Sequence, residues 1–139
     1  MKIITPNLLK FAGTSFVLTA IFRFCLSYGL ENKILLLSVT SAVLYGITMF
    51  SAGWFFGKRD WMYLPIYDVG FRFHLATYLT HNAVSELWFI LGFNSRYEII
   101  DPIHITAVIW GILLFIHFLF FLWTRKNTIN HLDKDDLFE

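Results

Sequence analysis

Cysteine is almost missing from this 139-residue chain, where Cys25 stands alone. That excludes an internal disulfide and any metal site built from several thiolates. Three prolines and eight glycines are too few for a flexible linker or a low-complexity stretch. Charge is also scarce, at 15% of residues with a net value of +1, so no basic field speaks for nucleic acid as a partner. Catalytic signatures are absent too: there is no glycine-rich phosphate loop, Gly-x-Ser-x-Gly elbow, His-Glu-x-x-His helix or cysteine pair. His81 and Glu86 come nearest to an acid–base couple, yet five positions set them about 140° apart on a helix. Hydrolase chemistry would need Ser85 or Thr80 activated by a histidine from another helix, and nothing in the sequence specifies that. An enzyme is the less favoured class.

What the chain has in excess is apolar surface. Hydrophobic residues make up 57% and aromatic residues 19%, with sixteen Phe and five Trp, and the mean hydropathy is +0.60. Ordinary globular domains hold about 45–50% apolar residues. Four stretches are long enough to cross a hydrocarbon layer about 30 Å thick, which takes about 20 helical residues. They run from Asn7 to Tyr28, Lys33 to Gly57, Asp68 to Phe93 and Pro102 to Trp123. The first is read as retained, because Arg23 and Phe24 stand where a small-residue cleavage site would be needed. The expected fold is therefore all-α: an integral membrane four-helix bundle over residues 1–124, followed by a polar cytoplasmic tail at 125–139.

Four crossings put the N-terminus, the loop after the second helix and the C-terminus on one side. That side holds Lys2, Lys10, Lys58, Arg59, Arg125, Lys126 and Lys134, against Lys33 and Arg96 on the other. The positive-inside bias makes both termini cytoplasmic. The expected setting is a bacterial inner (plasma) membrane, with the lipid bilayer as the first partner. Trp54, Trp61, Tyr63, Tyr67 and Trp123 gather at the cytoplasmic ends as an aromatic belt. Thr5-Pro6 and Asp101-Pro102 read as a cap followed by proline at the first helical position. Ser38, Ala42 and Gly46, then Gly53 and Gly57, and Ala107 with Gly111 form small-residue ridges. Such ridges let backbones approach closely, within the bundle, in a homo-oligomer or against other membrane subunits.

The third stretch differs from its neighbours. Asp68, Arg72, His74, Tyr78, His81, Asn82, Ser85 and Glu86 fall in one arc about half the helix circumference wide. A charge at mid-membrane costs about 2.5–3.5 kcal/mol, while each Leu, Ile, Phe or Val returns about 0.3–0.6. Roughly eleven apolar residues thus return about 5 kcal/mol, no more than Glu86 and Arg72 consume together. The polar arc must be covered by protein or by a cavity.

Depth arithmetic nominates what covers it. At 1.5 Å per residue, Arg23 and Glu86 agree in depth to about 3 Å, which predicts an Arg23–Glu86 ion pair. His74 and His117 reach equal depth on antiparallel neighbours. Two histidines are the minimum for bis-imidazole ligation of haem b or for part of a metal site. His104 stands near the outer loop carrying Arg96, Glu98 and Asp101, where Glu86 would join it in a polar vestibule. The leading expectation is a small polytopic membrane protein that binds or transports a small polar solute, proton or ion. Its site would be a cavity lined by His74, Tyr78, His81, Asn82 and Glu86, with Arg72, Arg23 and His104 at the margins, in an oligomer or larger complex. The competing expectations are a haem-, quinone- or lipid-binding redox subunit, and an accessory structural subunit.

Overall fold

The computed structural model describes residues 4–62 and 64–130. Four helices follow in order: α1 (Pro6–Glu31), α2 (Leu35–Asp60), α3 (Ile66–Ile90) and α4 (Asp101–Asn130). α1, α2 and the Asp101–Thr124 part of α4 are long and apolar enough to cross a membrane. α3 has comparable length, 25 residues, but falls outside that set. The helix ends differ from expectation: α1 and α2 run three residues past Tyr28 and Gly57, to Glu31 and Asp60, α3 covers Ile66–Ile90 rather than Asp68–Phe93, and α4 continues to Asn130, into the segment read as tail. Lys2, Tyr63 and residues 131–139 lie outside the described residues.

The helix ends have identifiable causes. Thr5 caps α1 by accepting the Leu8 N–H at 3.0 Å, with Pro6 at the first helical position. Asp60, buried at the end of α2, takes hydrogen bonds from both Thr5 Oγ1 and Asn7 Nδ2. That contact ties the start of α1 to the end of α2. At the other end α1 and α3 finish in the same way, with a Schellman motif. Ile34 N–H reaches Gly29 O at 2.7 Å and Lys33 N–H reaches Leu30 O; Phe93 N–H reaches Trp88 O and Gly92 N–H reaches Phe89 O. The left-handed residue is Gly92 in α3 (φ 72°) but Lys33 in α1 (φ 57°). The Gly92 turn explains why the apolar run to Phe93 does not extend the helix. A Lys33→Gly substitution relieves the Cβ conflict of a left-handed L-residue. It is expected to stabilise the protein by about 0.5–1 kcal/mol, part of the relief being lost to the freer unfolded chain. Thermal unfolding in detergent checks it, and an unchanged or lower midpoint counts against it.

Packing is sequential but not closed. α1 runs antiparallel to α2, where Thr19 meets Tyr45, and parallel to α3, where Phe11 meets Phe73 at 4.8 Å and Ser27 meets Trp88. α4 is antiparallel to α3 and, among the described residues, meets no other helix. Rather than completing a four-cornered bundle, it stands against one edge of a three-helix cluster. Phe11, Met49, Val69 and Phe73 form the apolar core of that cluster. Small residues serve it as expected: a Cβ at Gly53 would lie 3.7 Å from Phe11, and one at Gly57 3.6 Å from Val69.

The distribution of polarity is inverted relative to a water-soluble domain. Among the described residues, Ser15, Thr19, Arg23, Ser27, Ser38, Asp60, Asp68, Ser85 and Ser95 are buried. Large apolar side chains such as Phe16, Ile21, Leu36, Phe50, Ile109 and Phe115 face outward. An interior richer in polar than in apolar groups, under an apolar exterior, is what a lipid solvent selects.

Candidate functional site

α3 is the central helix, and its polar arc is shared between two sets of neighbours. It also turns more than that arc inward, since Val69, Phe73 and Val84 are buried as well. Near the end where α3 begins, Arg72 grips Asp68 one turn earlier through Nε and NH2, at 2.6 and 2.7 Å. Asp68 is buried, so the pair neutralises two charges locally.

His74 and His117 meet, as their equal depths required. Their Nδ1 atoms lie 3.2 Å apart, and the Trp110 indole N–H donates to His74 Nε2 at 2.6 Å. Indole is a donor only, so His74 Nε2 carries no proton. The proton of neutral His74 therefore sits on Nδ1 and is donated to His117 Nδ1, leaving the His117 proton on Nε2. The sequence Trp110→His74→His117 has a defined direction. Haem b does not fit this pair. A porphyrin must stand between two axial nitrogens, whereas these touch directly and the remaining nitrogen of His74 is taken. Among the described residues no cluster of three or more potential metal ligands forms.

One turn on, Tyr78 donates to Ala107 O at 3.1 Å. Gly111 makes room for this, because a Cβ there would lie 3.1 Å from the tyrosine oxygen. Asn82 spends its amide on Tyr78 O at 2.7 Å. Trp110 fills the space between the two histidine levels, with ring centroids 5.9 Å from His74 and 5.6 Å from His81.

His81 turns the other way, toward α1 and α2. Its Nδ1 lies 3.0 Å from Tyr45 OH, which lies 3.0 Å from Thr19 Oγ1; Thr19 in turn donates to Ser15 O at 2.7 Å. The Thr19 proton is spent on that carbonyl, so Tyr45 must be the donor to Thr19. The single Tyr45 proton is then used, and His81 must donate from Nδ1. His81 Nε2 is left as an acceptor. Phe22 stacks on Tyr45 at 4.6 Å and keeps the phenol in place.

The expected Arg23–Glu86 ion pair does not form. Arg23 pairs instead with Glu98 of the α3–α4 loop at 2.6 Å, with the two side chains 6% and 5% exposed. Ser27 donates to the other oxygen of Glu98 at 2.6 Å and accepts the Trp88 N–H at 2.9 Å. Glu86 contacts His104 at 2.8 Å in a pair whose side chains are 39% and 54% exposed. Equal depth was not enough: Glu86 lies on the α4 side of α3, whereas Arg23 faces the α1–α3 seam beneath the loop. The vestibule expected from Glu86 and His104 is thus a pair on the flank of the protein.

Sequence reasoning missed Tyr45, Thr19 and Trp110, and set Glu98 in the loop near His104 without its partner Arg23. For α1 a signal existed: Ser15, Thr19, Arg23 and Ser27 recur every fourth residue and form one buried polar stripe. The expected chamber around the α3 set also takes a different form. Of the three cavities described, one of about 370 Å³ between α2 and α3 reaches His74 and Thr77 but is otherwise apolar and aromatic. The other two are lined by none of the α3 polar set from His74 to Glu86. The polar side chains are spent mainly on side chains of neighbouring helices and on carbonyl oxygens. The chain matches no protein-family model, no curated protein and no solved structure. Function has to be argued from these contacts.

Proposed function

We propose that the protein is a four-span protein of the bacterial inner membrane, with cytoplasmic termini, that passes protons along α3. The observation that carries this reading is the pair of directed hydrogen-bonded chains, Trp110→His74→His117 and His81→Tyr45→Thr19, stacked along one helix around Trp110. Imidazoles exchange protons near neutral pH, and a proton needs no chamber of the size a solute requires. The contacts that hold the α3 side chains to neighbouring helices and carbonyls therefore favour the proton over a larger solute. The Asp68–Arg72 pair lies toward one end of α3 and the Glu86–His104 contact toward the other. α3 crosses because α1 and α4 cover its polar arc. The free flanks of α4 supply the surface for a second copy or for another membrane subunit.

Reconstitution tests this. Vesicles loaded with a pH-sensitive dye and given a potassium diffusion potential are expected to acidify faster with protein than without it. The rate should be indifferent to replacing external sodium by choline. Rates equal to those of protein-free vesicles would remove the proton reading. A second reading, a site for a lipid-soluble ring such as a quinone, is favoured by the groove beside His74 and its walls of Phe50, Trp54, Trp61 and Phe73. A stoichiometric lipid-soluble chromophore extracted from purified protein would select it.

A further inference from the structure

The buried stripe on α1 has more polar atoms than protein partners. Ser15 Oγ, Ser85 Oγ and Arg23 Nε have no hydrogen-bond partner among the described residues. Both serines are 0% exposed and Arg23 is 5% exposed. Contacts of Phe11 with Phe73, Arg23 with Phe89 and Ser27 with Trp88 fix the parallel register of α1 and α3. That register puts Ser85 level with the turn between Thr19 and Arg23. The guanidinium spends NH2 on Glu98 and keeps a charged donor, Nε–H, inside a seam with no protein acceptor. A charged donor left unpaired at low dielectric costs more than immobilising one solvent molecule.

We propose that the α1–α3 seam holds resident water between Ser85 Oγ and Arg23 Nε, and that this water continues the polar file from Thr19 to the Arg23–Glu98 pair. The chemistry of the two groups is complementary to water. Nε–H donates to the water oxygen, and the water donates to Ser85 Oγ, which keeps its own proton free to rotate. A buried water needs two to four polar partners; Ser85 Oγ and Arg23 Nε are two, and the buried Thr19 hydroxyl stands one turn before Arg23 on the same stripe. The site stands on burial and hydrogen-bond accounting alone; its place in the file rests on the proton reading.

The test uses full-length protein with ¹⁵N-labelled arginine in nanodiscs of phosphatidylglycerol and phosphatidylcholine. Magnetisation transfer from water to each arginine Nε–H is read by NMR, with the Arg23 signal assigned by its loss in Arg23→Lys. A water cross-peak at Arg23 is expected in the wild-type protein, together with those of exposed Arg59 and Arg96. Its absence while theirs persist overturns the site. Ser85→Val is expected to remove the cross-peak and lower the thermal midpoint, because it fills the water's place and strips Nε–H. A dry seam gives the opposite sign, since valine then replaces an orphaned hydroxyl; a raised midpoint in both Ser85→Val and Ser85→Ala overturns the proposal. Flux separates the two layers. A cross-peak without any wild-type flux sinks the proton reading and leaves the water site standing. Full flux in a Ser85→Val protein that has lost the cross-peak overturns the water's place in the file.

Discussion

Glu98→Ala is expected to destabilise the protein by about 3–5 kcal/mol, the range for removing one partner of a buried ion pair. The carboxylate accepts from Arg23 and from Ser27, and both side chains of the ion pair are almost wholly covered. Alanine leaves a buried guanidinium without its counter-charge and a serine hydroxyl without its acceptor. Glu86→Ala breaks a contact with His104 that is about half exposed, for which less than about 1 kcal/mol is expected. The contrast between two glutamates twelve positions apart is the diagnostic. Replacing both members of the buried pair by leucine should recover most of the loss, because the penalty lies in the orphaned charge rather than in the missing attraction. Reversible unfolding in mixed micelles measures all three variants. Equal losses for Glu98→Ala and Glu86→Ala would contradict the burial that the structure assigns.

The largest functional effect is expected at Tyr45. Tyr45→Phe keeps the ring that stacks on Phe22 and removes one oxygen, breaking both His81–Tyr45 and Tyr45–Thr19 together. Proton flux should fall at least tenfold, a barrier change of about 1.4 kcal/mol. His81→Phe should match it, and the double variant should lose little more, because the two residues act in one chain and their effects do not add. Flux within twofold of the wild-type rate in Tyr45→Phe would place the route elsewhere. A thermal midpoint close to the wild-type value in the same preparation separates a broken relay from a broken fold.

The four helices were legible because the apolar stretches are long and the chain marks their ends. Thr5-Pro6 and Asp101-Pro102 stand where α1 and α4 begin. The His74–His117 contact was legible too, since depth on two antiparallel rods is simple arithmetic in rise per residue. The same arithmetic failed for Arg23 and Glu86, because depth says nothing of azimuth around the bundle. It also had no access to the ten residues between α3 and α4, which fold back to place Glu98 against α1. Tyr45 and Trp110 were hidden for another reason. Each is amphipathic and reads as an ordinary membrane aromatic until its polar atom is seen to have a partner. The open packing of α4 was likewise unreadable, since a helix apolar all round gives no clue to which side meets protein.

That α4, among the described residues, meets only α3 bears on how the chain is assembled during synthesis. His81 finds Tyr45 and Thr19 on helices made before α3, so its polar side is accommodated as soon as the third helix emerges. His74 and Tyr78 wait for partners that the ribosome has not yet produced. The nascent protein must therefore hold a half-compensated third helix until its last thirty or so residues arrive. Under the membrane reading proposed above, insertion of α3 and α4 as a late hairpin, rather than one after the other, is the order that would spare those two side chains a period against lipid.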